Sequence, residues 1–484
     1  MPSTSENQHS SRDRFKYDQV SHYIMDLIDK GTLKPGDRVP SLRKLSKSLK
    51  VSIATVNQAY LTLEEKGVLK AKPQSGFYVH TGINREIATP KPIISTCQPR
   101  KVRFGQLFEE IFEISNDPSI APFAAARPSM ELMPSKALMR ETRSVIARHA
   151  LESMDYCFPP GHERLRHQIS LRYAEMGLSI AAEEIIITSG ATEALSLALQ
   201  TVARRGDIIA VESPTYFSVL RLIEKMGMLA LEIDSDPQTG VSLDALEFAL
   251  DTMDISAMLV VPNFNNPAGS LMPSSHKRQL VSMLSERNIP LIEDDVYGDL
   301  YFGNERPDIC KCHDEQGLVL SASSFSKTLA PGFRTGWITG GRFHEQLLEW
   351  KQATSSASPS LQQLAVGEFL RSGQYDRHLV RLRKAFKAQV EKARFMIARL
   401  FPEGTRISDP QGGFVLWVEL PRGINCFDVY TEALQQHIGI TPGMLFSATR
   451  KFRNYIRINC GFPWTPENEQ ALEQLAGIIN RLHA

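Results

Sequence analysis

SFSKTLAPGFRTGW, residues Ser324 to Trp337, gathers one lysine, several hydroxyls and one arginine in a short stretch suited to holding a phosphorylated aldehyde. The amine of Lys327 can form a Schiff base with pyridoxal phosphate, while Ser324 and Arg334 can bind its phosphate, the arginine through a planar fork. An isolated S-x-x-K is far more often a solvated loop. The reading therefore rests on the elements around Lys327.

Upstream, LIEDDVYGDLY (Leu291 to Tyr301) is an apolar run ending in acids and a tyrosine, as a buried strand ends at the carboxyl edge of a parallel sheet. Asp294 there can pair with a protonated pyridine nitrogen, and Tyr297 can hydrogen-bond a ring oxygen. A metal site is the competing use of such acids, but no histidine cluster accompanies them. LVVPNFNNPAG (Leu259 to Gly269) is a second strand stopping at an Asn-Pro turn, from which Asn266 can donate into the same crevice. IIITSGATEALSLAL (Ile185 to Leu199) reads as strand, Ser-Gly turn and helix, whose free amides suit a phosphate. ESPTY (Glu212 to Tyr216) offers an aromatic face for stacking. In NYIRINCG (Asn454 to Gly461), an alternating strand, Arg457 can grip a carboxylate with two hydrogen bonds.

These six elements, in this order, resemble the fold-type I pyridoxal-phosphate aminotransferases of class I and II over roughly residues 121–484. The resemblance implies an α/β fold-type I transferase domain with a mostly parallel large sheet and a smaller C-terminal α+β subdomain from about residue 345. By it, Lys327 is the aldimine lysine, Asp294 the partner of the pyridine nitrogen, and Asn266 and Tyr297 the partners of the ring oxygen. Tyr216 is the stacking aromatic. Gly190, Ala191 and Thr192 with Ser324 and Arg334 form the phosphate cup, and Arg457 is the carboxylate clamp. Tyr156, in DYCFPPG, resembles the tyrosine that such homodimers extend into the partner's cofactor site.

The first eighty residues follow another pattern. Val20, Tyr23, Ile24, Leu27 and Ile28 recur at helical spacing, as do Leu42, Leu45 and Leu49, then Val56, Ala59, Tyr60 and Leu63. The second helix is expected after Pro40-Ser41 and the third after Ser52, where hydroxyls can cap the first amides. A β-prone run from Val68 to Val79, around Pro73 and Gly76, completes a winged helix-turn-helix. Between Arg14 and His80 twelve Lys or Arg stand against six Asp or Glu, a net of +6 in a chain whose total is +1. Such concentrated charge attracts duplex phosphates by counterion release.

The run from Gly31 to Val79 resembles the GntR winged-helix domain almost without gaps. The resemblance implies a double-stranded DNA operator met by Arg38, Arg43, Ser52, Thr55 and Asn57, with Gly76 in the wing. Many GntR domains follow the helix serine with an arginine, whereas here the order is Ser52-Ile53-Ala54-Thr55, and one bidentate guanine contact is thereby missing.

Residues 1–12 read as a polar tail, 13–80 as the DNA-binding head and 81–120 as a linker. The linker contains one amphipathic stretch, FGQLFEEIFEI (Phe104 to Ile114), expected to be a docking helix. Flexible, forty such residues would span about 35 Å. Head and body together resemble the MocR/GabR regulators. At 484 residues, with 42% hydrophobic and 23% charged, the composition is that of a multidomain globular protein. The polar N-terminus and the absence of a membrane-length apolar run lead to the expectation of a cytoplasmic protein. Cys97, Cys157, Cys310, Cys312, Cys426 and Cys460 form no framework, and Cys310-Lys311-Cys312-His313 lacks a second ligand pair, so no metal is expected.

Two functions follow from the resemblance. The favoured one is a regulator that senses an amino acid or amine by aldimine exchange at Lys327, since a basic head serves no purpose in a metabolic enzyme. The alternative is a working aminotransferase, using the same residues, with an accessory DNA-binding head.

Overall fold

The computed structural model describes residues 16–29, 32–33, 36–65, 68–72, 75–79, 88–93, 98–102, 105 and 107–484. The expected tail, Pro73, Cys97 and Phe104 lie outside these residues. The chain divides into two compact units, Met1–Glu86 with Glu391–Leu400, and Ile87–Val390 with Phe401–Ala484.

The head contains α1 (Lys16–Asp29), α2 (Leu42–Leu49), α3 (Ile53–Glu65) and a hairpin of β1 (Leu69–Lys72) and β2 (Gly76–Val79), paired from Leu69 opposite Val79 to Lys72 opposite Gly76. The helices start where the hydroxyls predicted. Ser41 accepts the Lys44 amide at 3.3 Å, and Ser52 accepts that of Thr55 at 3.0 Å. Val20, Ile24, Leu45, Val56, Ala59, Tyr60 and Leu63 form the buried core with Leu69 and Val79. Tyr23, expected among them, is 38% exposed.

In the second unit, α4 (Leu107–Ile114) precedes a two-residue strand β3 (Ala121–Pro122), and then come α5 (Ser135–Arg148), α6 (Ala150–Met154) and α7 (Glu163–Glu175). The main sheet uses β4 (Ile185–Thr188), β5 (Ile208–Ser213), β6 (Leu229–Asp236), β7 (Gly240–Val241), β8 (Ile255–Val260), β9 (Leu291–Asp294), β10 (Val319–Ser324) and β11 (Gly336–Thr339). Their order is β4-β11-β10-β9-β8-β5-β6-β7, parallel from β10 through β6, with β11 antiparallel to both its neighbours and β7 antiparallel to β6.

Helices α8 (Ala191–Val202) and α9 (Phe217–Met226) cover one apolar face, and α10 (Leu243–Thr252) and α11 (Ser274–Glu286) the other. This double coverage explains why β4, β8 and β9 read as continuous apolar runs. Helices α12 (His344–Ser355), α13 (Ser360–Arg371) and the long α14 (Gln374–Leu400) lead to a second sheet. It is built from β12 (Arg406–Ile407), β13 (Val415–Glu419), β15 (Thr441–Pro442) and β16 (Tyr455–Asn459), in the order β12-β13-β16-β15. Between β13 and β15 lie α15 (Cys426–Gln435) and β14 (Ile438–Gly439), which pairs with β3, and α16 (Pro466–His483) ends the chain.

The segment read as linker is partly fixed to this unit. Arg100 and Ala230 exchange two backbone hydrogen bonds of 2.9 Å, and Val102 is buried in the main core. These bonds shorten the free run that a flexible forty-residue linker would provide. Among the described residues, no helix is long and apolar enough to cross a membrane.

Candidate functional site

Five loops leave the carboxyl ends of β4, β5, β8, β9 and β10 together, where ligands of open α/β sheets bind. They bring Ala191, Thr192, Tyr216, Asn266, Asp294, Tyr297, Ser324, Lys327 and Arg334 around one pocket. A second cavity shares Tyr216, Lys327 and Arg334 with it and adds Arg457, together with Ile111 and Phe112 of α4. Residues as far apart in the sequence as Ala191 and Arg457 therefore border adjoining cavities.

Lys327 Nζ donates to the carbonyl of Ala126 at 2.6 Å. Burial, reinforced by the positive charge of Arg457 and opposed by Asp294, lowers its amine to about 8. Asp294 ends β9 opposite Ala322 of β10, and its Oδ1 accepts the Val296 amide at 3.2 Å. Burial dominates its titration and raises it to about 7. Asn266 Nδ2 donates to the Tyr297 hydroxyl at 3.4 Å, and Arg457 donates to Asn266 Oδ1 at 3.2 Å, so three predicted residues form one chain. Burial raises the Tyr297 hydroxyl above its ordinary range.

Arg457 lies on β16 and is fully buried, as is the rest of that strand. The alternating strand read from the sequence is β16, flanked in its sheet by β13 and β15, and Thr441, directly opposite in register, accepts from Arg457 at 2.9 Å. Among the described residues the Arg457 Nε has no hydrogen-bond partner, and burial brings the guanidinium down to about 10.

Arg334 donates to the Ser189 carbonyl at 2.8 Å and to Ser326 Oγ at 3.3 Å, and Ser324 Oγ accepts the Ser326 amide at 3.3 Å. Ser326 thus joins this cluster although it was not singled out from the sequence; its place in S-F-S-K was the available signal. Gly190 caps α8 at φ +89°, and a Cβ there would meet Arg334 Nη2 at 2.5 Å. Gly190→Ala is expected to cost on the order of 1–3 kcal/mol in backbone strain and to displace the Arg334 fork. A thermal melt coinciding with that of the parent protein would contradict this.

Tyr156 is not in the pocket of its own chain. It is 75% exposed and stacks on Phe158 at 5.6 Å. In the head, Arg38, Arg43 and Ser52 are exposed and Thr55 and Asn57 half-buried. Gly76, at φ +103°, lies under the Arg38 guanidinium, which a Cβ would touch at 3.4 Å. Cys310 is buried, its amide donating to Glu293, and His313 faces Asp308 at 2.9 Å.

Residues 129–475 match the family model for aminotransferase class I and II, and residues 16–79 match that for bacterial regulatory proteins of the gntR family. The chain is 36% identical to the uncharacterized HTH-type transcriptional regulator YjiR of Escherichia coli K12, over 96% of this chain and 99% of that one. It belongs to the GntR-family regulators that carry a class I and II aminotransferase domain. YdcR, also described as an uncharacterized HTH-type transcriptional regulator of Escherichia coli K12, is 37% identical with the same coverage.

Among solved structures, alpha-aminoadipate aminotransferase LysN of Thermus thermophilus superposes with a TM-score of 0.73 at 25% identity, covering 79% of this chain and 96% of that one. Kynurenine aminotransferase of Pyrococcus horikoshii gives 0.73 at 26% identity, covering 79% and 95%. The protein is accordingly a transcription regulator with an aminotransferase-like fold-type I domain. The coverage of the regulators, near complete in both directions, extends the relationship to the head.

Proposed function

We propose that this GntR-family regulator carries pyridoxal phosphate on Lys327 and responds to an amino acid or amine that enters the same site. The observation that carries the reading is the convergence of Lys327, Asp294, Asn266, Tyr297, Arg334 and Arg457 on adjoining cavities. The residues fit the cofactor. Asp294 is a buried acid whose raised pKa would be relieved by a pyridinium beside it. Gly190 clears the space in which Arg334 and the first amides of α8 face a phosphate. When bound, the cofactor supplies an electron sink and a carbonyl carbon that exchanges one amine for another.

The remaining work belongs to the chain. Ser324, Arg334, Ala191 and Thr192 hold the phosphate, and Tyr216 flanks the ring. Asn266 and Tyr297 bond its oxygen. Arg457, with an unpartnered buried Nε, takes the carboxylate of an amino acid. Ile111 and Phe112 of α4 border the space beyond Lys327. Arg38, Arg43, Ser52, Thr55 and Asn57 meet a duplex operator, and the ligand acts by binding unequally to states of different DNA affinity.

Leu151, Met154, Tyr156 and Phe158 form an exposed apolar group that a second copy would cover, placing Tyr156 at the partner's cofactor. Such a homodimer would work in the cytoplasm.

A neutral amine is the form that attacks an aldehyde. Because the Lys327 amine is lowered from 10.5 to about 8, the neutral form predominates above about pH 8. Cofactor uptake by the apoprotein is expected to rise with pH to a midpoint near 8, and a midpoint near 10.5 would contradict the assignment. The function is tested by recording the absorption spectrum during titration with amino acids and amines, followed by keto acids. A spectral change that persists without turnover supports sensing. Full conversion reversed by keto acid, with turnover, would assign the site to metabolism.

A further inference from the structure

Helix α3 begins with an apolar pair that hydrogen-bond recognition leaves unused. In helix-turn-helix proteins the N-terminal residues of the recognition helix meet base edges in the major groove. Here those residues are Ser52, Ile53, Ala54 and Thr55. Ser52 Oγ lies 2.8 Å from Thr55 Oγ1 and also caps the Thr55 amide, which leaves one of the two hydroxyl protons for the duplex. Between them Ile53 is 48% exposed, the most exposed large hydrophobic among the described residues of the head, and Ala54 is exposed beside it.

The surroundings are polar and cationic. Arg43, Lys44, Lys47 and Lys50 are exposed on or next to α2, the helix that precedes α3. Such charges draw the sugar-phosphate backbone to this end of α3 without reading sequence. A bare isoleucine at the point of closest approach to the bases can neither donate nor accept. What it can recognise in the major groove is an apolar group, and the 5-methyl of thymine is the one that unmodified DNA presents there.

We infer that Ile53, supported by Ala54, reads a thymine 5-methyl group in the operator. The inference rests on DNA binding by the head. An apolar contact to thymine thus takes the place of the bidentate guanine contact that an arginine would make at this position. Ile53 is a specificity residue rather than a structural one, because its side chain lies outside the buried core of the head.

Full-length protein should be used to select duplexes from a randomised pool, after which each thymine of the selected site is replaced in turn by deoxyuridine, which removes only the methyl. Burying one such carbon contributes about 0.8 kcal/mol, so affinity is expected to fall about fourfold at one thymine per half-site. Ile53→Ala should bind the parent site more weakly and no longer distinguish thymine from uracil there, whereas Ile53→Val should keep the distinction. If no thymine shows methyl dependence, or if Ile53→Ala keeps it in full, the inference is wrong. Failure of the wild-type protein to select any sequence would overturn it together with DNA recognition by the head, and an unchanged thermal melt for Ile53→Ala separates either result from misfolding.

Discussion

Lys327→Ala is expected to abolish covalent retention of pyridoxal phosphate. The variant should carry no absorbance that borohydride can fix to the polypeptide, and a peptide map of the reduced wild-type protein should place the label on Lys327. Position and charge both single out this amine. Lys327 lines both cavities, sharing them with Asp294 and Arg334 on one side and Arg457 on the other. Burial and Arg457 lower it to about 8, so a useful fraction is uncharged near neutral pH. Removing the amine also removes a buried positive charge beside Asp294, so the fold should persist while the covalent bond is lost. Retention of a fixable chromophore by Lys327→Ala would move the attachment elsewhere.

Arg43→Ala is expected to weaken duplex binding about tenfold or more at moderate salt while leaving the cofactor spectrum unchanged. An arginine in contact with a base edge or with phosphate contributes about 1–3 kcal/mol, and its removal shows in the salt dependence if the contact is to phosphate. Arg43 is exposed on α2 and lies outside the hydrophobic core of the head, so its removal should not unfold α2. Fluorescence anisotropy with an upstream duplex measures the binding, and an absorption scan of the same sample gives the control. Unaltered affinity would remove Arg43 from the interface. Simultaneous loss of the spectrum would mean that the substitution acts on folding.

Much of the site was legible because its chemistry demands polar residues where apolar strands end. Asp294 after LIE, Asn266 after LVVPNFN and Lys327 after SFS each interrupt an apolar or small-residue run at the edge of the sheet. The head was legible for a similar reason, its helical stripes and hydroxyl caps being local signals. What escaped reading was set by tertiary pairing. Thr441 became a partner of Arg457 through the register of two strands, and the Ala126 carbonyl receives Lys327 although it is backbone and leaves no mark in the sequence.

The alternation of NYIRINCG marked a strand but did not show that both its faces are buried, Arg457 included. Likewise, residues 81–120 read as a linker, while Arg100 and Val102 are fixed by a strand bridge and a core contact that only the folded sheet provides.

The central claim is that occupancy of the Lys327 site sets the affinity of the head for DNA. The most direct measurement is operator affinity by fluorescence anisotropy, with and without the amino acid or amine that alters the absorption spectrum, for the wild type and for Lys327→Ala. A coupling of about 1–3 kcal/mol predicts a 5- to 150-fold change in the wild type. No change is expected in the variant. Equal affinities with and without that ligand in the wild type, or the same shift in Lys327→Ala, would contradict the account.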